Sequence, residues 1–258
     1  MHQTTEGRLD RGDGTHLAYA HLAGRTPTTV FLPGFRSDMT GAKALAIEAA
    51  CRTLGTASLR LDYSGHGASD GDFEHGTIGA WTEDALHLID HLTQGALVLV
   101  GSSMGGWIAL LAALARPHRT AALIGIAPAP DFTESLLWDA LMPPERARLQ
   151  ADGVLYVPSQ YGDPTPMTLN LIEEGRTHLL LHAPIPIACP VRLLHGQQDL
   201  DVPWETSLRL AERLATPNVQ FTFIKDGDHR LSRHQDLACL ENIHAALLSN
   251  LESHRGES

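Results

Sequence analysis

Gly101-Ser102-Ser103-Met104-Gly105 fits the pattern G-x-S-x-G, with a β-prone run before it and a helix-prone run after it. A serine on a sharp strand-to-helix turn projects its hydroxyl clear of the backbone, where it can attack an acyl carbonyl. The frame selects Ser103, which has glycine two residues away on each side; Ser102 would need Val100 and Met104 in those places. The plain alternative is a structural Gly/Ser turn. A serine hydroxyl is a weak nucleophile and needs a base oriented by an acid. For a serine on this kind of turn, the acid and then the base follow it along the chain. Leu193-Leu194-His195-Gly196-Gln197-Gln198-Asp199 places a carboxylate just beyond a strand, so Asp199 is the preferred acid. Asp201 is its near rival, and Asp131, after the preceding strand, the remote one. Phe221-Thr222-Phe223-Ile224 leads into Asp228-His229, which puts His229 in a strand-to-helix loop as the base; His234, at a helix start, is the alternative. Charge developing on the carbonyl oxygen needs aimed donors. The Met104 N–H can be one. The Phe35 N–H, in the turn Pro33-Gly34-Phe35-Arg36, can be the other, with Gly34 permitting the bend and the Phe35 ring projecting near the acyl group. A plain strand-end turn is the competing reading there.

Such a set requires strands that all end on one edge. Strands are predicted over 16–21, 28–32, 57–61, 96–100, 121–126, 191–194 and 219–224, and helices over 41–54, 78–92, 107–115, 203–214 and 234–251. The apolar stripe of the first helix is read as Leu45, Ala49 and Leu54, and that of the second as Trp81, Ala85, Leu88, Ile89 and Leu92. Alternation of strand and helix implies an α/β fold with a mostly parallel central sheet flanked by helices. The rhythm breaks over 131–186, which reads as an inserted, mostly helical lid, because structureless loops of that length are uncommon. The core is then 1–130 and 187–258. Leu136, Leu137, Trp138, Met142 and Tyr156 of the lid, with Phe35, are candidates to line an acyl pocket; simple packing of lid on core is the alternative.

The composition narrows the function. The chain has 258 residues, 43% hydrophobic and 19% charged, with a net charge of −11. That is globular composition, and it excludes partners such as nucleic acid that need clustered cations. The uncharged stretch 95–115 contains Gly101-xxx-Gly105, yet its strand–turn–helix texture argues against a membrane span. Cys51, Cys189 and Cys239 are too few and scattered for a disulfide framework, so a reducing, cytoplasmic location is expected. The N-terminal residues show neither secretory nor transit character. His87/His91 and His178/His182 have helix-face spacing for zinc, but no H-E-x-x-H pattern and no third ligand accompany them; no metal or cofactor is expected.

Asp62-Tyr63-Ser64-Gly65-His66-Gly67-Ala68-Ser69 resembles the D-x-x-G-x-G-x-S loop of the α/β-hydrolase superfamily, with His66 as a packing residue. The resemblance extends over nearly the whole chain. The run from Phe31 to Ala46, with Gly-Ser-Ser-Met-Gly-Gly-Trp at 101–107, is similar to the palmitoyl-protein thioesterase/acyl-glucuronide esterase group, as are Pro144-Glu145-Arg146-Ala147 and Ile172-Glu173-Glu174-Gly175-Arg176. The family's triad maps onto Ser103, Asp199 and His229. Animal members are mitochondrial; the absent transit pattern suggests a bacterial, cytoplasmic one. The resemblance implies a cofactor-free serine hydrolase for a small-molecule ester or thioester, or for an acylated protein. C–C bond hydrolysis of a ring-cleavage diketone and a non-catalytic binding role stay open, as does the oligomeric state.

Overall fold

The computed structural model describes residues 3–159 and 162–255. Eight strands form one sheet. β1 (Thr4–Asp10) pairs antiparallel with β2 (His16–Leu22), and β2 antiparallel with β4 (Thr56–Leu61). From there β3 (Arg25–Leu32), β5 (Leu97–Ser102), β6 (Thr120–Ile126), β9 (Val191–Gly196) and β10 (Val219–Ile224) follow in space, each parallel to its neighbour. Parallel neighbours need crossover helices, and these cover both faces. β5 shows the consequence: Leu97 and Leu99 join the core under α2 (Ile78–Leu92) and α3 (Met104–Ala115), while Val98 and Val100 join the core under α1 (Ala42–Leu54) and α7 (His234–Arg255). A strand buried on both faces reads as an unbroken apolar run, which is why 95–115 mimics a membrane span. Among the described residues no helix is long and apolar enough to cross a membrane.

In the core, two elements depart from the sequence expectation. β1 has no counterpart in it, because Thr4–Asp10 is polar and largely exposed at the sheet edge. The face of α1 is also different. Leu45 is 46% exposed and Leu54 is exposed too, whereas Ala44, Ile47, Glu48 and Cys51 are buried. Small side chains let this helix sit close to the sheet, and Glu48 is tolerated because it pairs with Arg60 at 2.7 Å. The stripe of α2 is as expected at Trp81, Ala85, Leu88 and Ile89.

The segment between β6 and β9 holds α4 (Pro143–Asp152), an antiparallel hairpin of β7 (Val154–Ser159) and β8 (Gly162–Thr168), and α5 (Leu169–Gly175). A π-helical turn, Thr133–Trp138, opens it. The hairpin is an addition to the mostly helical expectation, which the helices of the segment otherwise meet. Its prolines disguise it in the sequence, but both strands are edges and Pro is tolerated there. Leu149, Leu155, Met167 and Ile172 give the segment a small core of its own.

Candidate active site

The turn between β5 and α3 is built by close contact. A Cβ on Gly105 would run into the Leu32 and Pro33 carbonyls, and one on Gly101 into the Gly105 backbone. Ser103 occupies the turn at φ 55°, ψ −122°. Its amide donates to Ile126 O at 2.9 Å, and its carbonyl accepts from Gly106 N at 2.8 Å and Ala129 N at 3.1 Å. The neighbouring Ser102 is buried.

Ser103 Oγ lies 3.1 Å from His229 Nε2, and His229 Nδ1 lies 2.7 Å from Asp199 Oδ2. The loops carrying the two partners are laced together: Gln197 N donates to Ile224 O and Gln198 N to Gly227 O, both at 2.8 Å. Gly196 and Gly227 touch where a side chain would collide. The Asp199 side chain has no exposed surface. Its Oδ1 accepts from the amides of Asp201 (2.9 Å) and Val202 (2.8 Å), and its Oδ2 from His229 and, at 3.2 Å, His195. Burial pushes this carboxyl up, but the hydrogen bonds from His195 and His229 outweigh it and hold it below the usual carboxylate range.

The rivals have other work. The Asp131 carboxylate accepts from the Leu180 and Leu181 amides, both at 2.8 Å, so it ties down the far end of the insertion; burial raises its pKa. Asp201 is exposed and reaches Asp199 through its amide. His234 opens α7. Among the described residues, Asp199, Asp201 and His229 form the one group of three that could share a cation, and there the facing atoms of Asp199 and His229 already bond each other. His91 Nδ1 pairs with the His87 carbonyl, and His178 with Glu174.

The turn after β3 passes over the serine: a Cβ on Gly34 would lie 3.3 Å from Ser103 Cβ. Among the described residues, neither the Phe35 nor the Met104 amide has a protein acceptor. Both border the cavity at Ser103. His66 holds this turn. Its Nδ1 donates to Ser64 O at 3.2 Å, and its Nε2 accepts from Arg36 N at 3.3 Å. Burial among Tyr63, Phe73 and Trp81 lowers the His66 pKa to about 4, so it stays an acceptor at neutral pH.

The cavity has a volume of about 830 Å³. Phe35, Phe132, Leu136, Leu137 and Val202 give it apolar walls. Three side chains expected there lie elsewhere. Trp138 packs in the insertion's own core, with the Arg176 and Arg146 guanidinium carbons 4.8 and 5.1 Å from its ring centre. Met142 is 64% exposed at the start of α4. Tyr156 is 59% exposed and donates its hydroxyl to Glu74 at 2.8 Å. On the paired strand β7 it is Val157, one residue on and therefore on the opposite face, that reaches the cavity, joined by Thr165 and Met167 of β8. The alternation Tyr156-Val157 was the available signal, unusable without the hairpin. Lys43 also lines the cavity; burial lowers its pKa to about 8, and its amine donates to the Arg230 carbonyl.

A family model described as serine aminopeptidase, S33 matches residues 28–157. The mitochondrial palmitoyl-protein thioesterase ABHD10 of Bos taurus is 43% identical over 241 residues, covering 93% of this chain and 78% of the relative. The chain belongs to the α/β-hydrolase family. Among solved α/β-hydrolases, alpha/beta hydrolase domain-containing protein 10 from mouse superposes with a TM-score of 0.89 at 41% identity, over 96% of this chain and 99% of that one. A putative hydrolase from Agrobacterium vitis S4 gives 0.90 at 40% identity, with the same coverages. This α/β-hydrolase is therefore a hydrolytic enzyme of the esterase and thioesterase kind, and its sheet and flanking helices follow the family's plan.

Proposed function

We propose that the chain is a serine hydrolase of apolar acyl esters and thioesters, with Ser103 as nucleophile, His229 as base and Asp199 as the acid that orients it. The observation that carries this reading is the unbroken line Ser103 Oγ–His229–Asp199, at 3.1 and 2.7 Å, on the wall of the cavity. His229 takes the Ser103 proton as the oxygen adds to the acyl carbonyl. Asp199 holds the imidazole with its Nδ1 proton inward and stabilises the cation that forms. The Phe35 and Met104 amides bind the oxyanion. His229 then protonates the leaving alcohol or thiol, and in the second half reaction deprotonates the water that frees Ser103. No metal or cofactor enters this sequence.

The insertion, over 131–186, acts in this reading as a lid whose Leu136, Leu137 and Met167 face the acyl chain. That lining, together with the relatives named palmitoyl-protein thioesterase, supports an acyl thioester or acylated protein as substrate. Three free cysteines support a reducing compartment, with the cytoplasm as the proposed location.

A fluorophosphonate probe is expected to label the protein but not S103A. A panel of acyl esters, acyl thioesters, acyl glucuronides and vinylogous diketones is expected to show turnover of the first two classes. Labelling of S103A at the wild-type rate removes the nucleophile assignment, and preferred turnover of the diketones replaces acyl transfer by C–C cleavage.

A further inference from the structure

His195 lies in β9 with no exposed surface, although its ring is polar on both edges. Its Nε2 faces two atoms that can only accept: Asp199 Oδ2 at 3.2 Å and Val202 O at 3.1 Å. The proton on that edge is thereby fixed, and Nε2 donates. At the other edge Nδ1 lies 2.8 Å from Ser207 Oγ, a buried hydroxyl on α6 (Glu205–Arg213). The ring is therefore held from three sides, and its Nε2–H is shared between the Val202 carbonyl and the carboxylate that faces His229.

We propose that His195 is a positioning residue that acts through Asp199, with Ser207 holding the ring and the Nε2–H setting how much of the carboxylate's charge reaches His229. This role rests on the reading of Ser103, His229 and Asp199 as the reacting set. The geometry leaves it little freedom. Asp199 Oδ1 is committed to two backbone amides of its own turn, which side-chain substitution leaves in place. Oδ2 is divided between two imidazoles, so a change at His195 is felt by His229 and by no other donor. The ring also opposes rotation of the carboxylate, which would exchange the two oxygens. On the ring itself the neighbouring elements place no charged group: β10 sets Phe223 beside His195 in register, and α6 offers the Ser207 hydroxyl. The ionisable groups around Asp199 are His229 and Asp201 beside it and, from α1, Lys43, which also feels Asp228 and Arg230 of the His229 loop; its pKa of about 8 keeps its titration away from the acid limb.

Without the His195 donor, the charge on Oδ2 is concentrated on the His229 Nδ1–H. The cationic form of the base is then favoured, and activity is lost at a higher pH on the acid side. A residue that merely fills space would lower activity without moving that limb.

The test is kcat/KM against pH on a short-chain acyl ester, for wild type, His195→Leu, His195→Gln and Ser207→Ala, each checked for folding by circular dichroism and thermal melting, with S103A in parallel. His195→Leu is expected to move the acid limb up by about half to one pH unit. His195→Gln, whose amide nitrogen reaches the place of Nε2, restores the wild-type limb. Ser207→Ala moves it part of the way. A folded His195→Leu with the wild-type limb, whatever its kcat, overturns the role, and so does a His195→Gln limb displaced as far as that of Leu. Should His195→Leu fail to fold, an unmoved limb in Ser207→Ala overturns it. Turnover surviving S103A overturns the reacting set itself, whereas a silent S103A with unmoved limbs overturns His195 alone.

Discussion

Ser103 sits at φ 55°, ψ −122°, a region that residues with a Cβ rarely occupy. Strain of this kind costs ~1–3 kcal/mol and persists only where the surroundings over-determine it. Here they do: the Ser103 amide and carbonyl make three backbone hydrogen bonds of 2.8 to 3.1 Å, to Ile126, Gly106 and Ala129. The strain belongs to the Cβ, not to the hydroxyl. Two substitutions separate them. Ser103→Ala removes Oγ and its contact with His229 but keeps the Cβ in place. Ser103→Gly removes the same contact and also releases the strain. Against that release stands the greater freedom of glycine in the unfolded chain, ~0.5–1 kcal/mol. The expected net is a glycine variant more stable than the alanine variant by about 1 kcal/mol, which for a domain of this size raises Tm by roughly 2–4 °C. In the proposed mechanism both variants lack the nucleophile, so function does not enter the comparison. Urea unfolding, read as paired midpoints at constant m, measures the difference. An alanine variant as stable as the glycine variant, or more so, would refute the idea that this turn is strained at Ser103.

Burial holds both His66 and His244 at a pKa of about 4, against an ordinary 6.5. Below pH 6.5 the unfolded chain takes up protons that the folded one refuses, so stability falls as pH drops from 6.5 towards 4, by ~1.4 kcal/mol per unit for each group. His244→Leu removes one of the two, and between pH 7 and 5 wild type is expected to lose about 2 kcal/mol more than the variant; equal losses by urea unfolding would count against the neutral His244. Arg36 joins the turn after β3 to β8, bonding Thr165 Oγ1 at 2.9 Å and Pro164 O at 3.3 Å. Arg36→Met is expected to raise KM severalfold and to speed proteolysis of the hairpin, with kcat changed less; an unchanged KM and cleavage rate would separate that contact from substrate binding.

What the sequence makes legible follows from where the proposed triad sits. Ser103, Asp199 and His229 each come directly after a parallel strand, and such loops share one edge of the sheet. Local punctuation marks them. Gly101, Gly105, Gly196 and Gly227 are small because backbones meet there, and a glycine beside a strand end is visible without knowing the partner. The cavity walls obey no local rule. Whether Trp138 faces substrate depends on Arg146 and Arg176, one from each of two later elements, which take its ring into the insertion's own core. Tyr156 and Val157 are a residue apart and point opposite ways only because a partner strand, itself hidden by Pro164 and Pro166, fixes the pleat. Leu45 looks like a core residue of α1 until the sheet is found close enough to prefer Ala44 and Ile47. His195 stands between the two cases. Its place in Leu193-Leu194-His195-Gly196 is plain, but its meaning needs Ser207 on the next helix. The same physics explains both outcomes. Machinery set by backbone approach leaves glycines in the sequence, whereas specificity set by side chains meeting across elements leaves a signal that only the packed structure can decode.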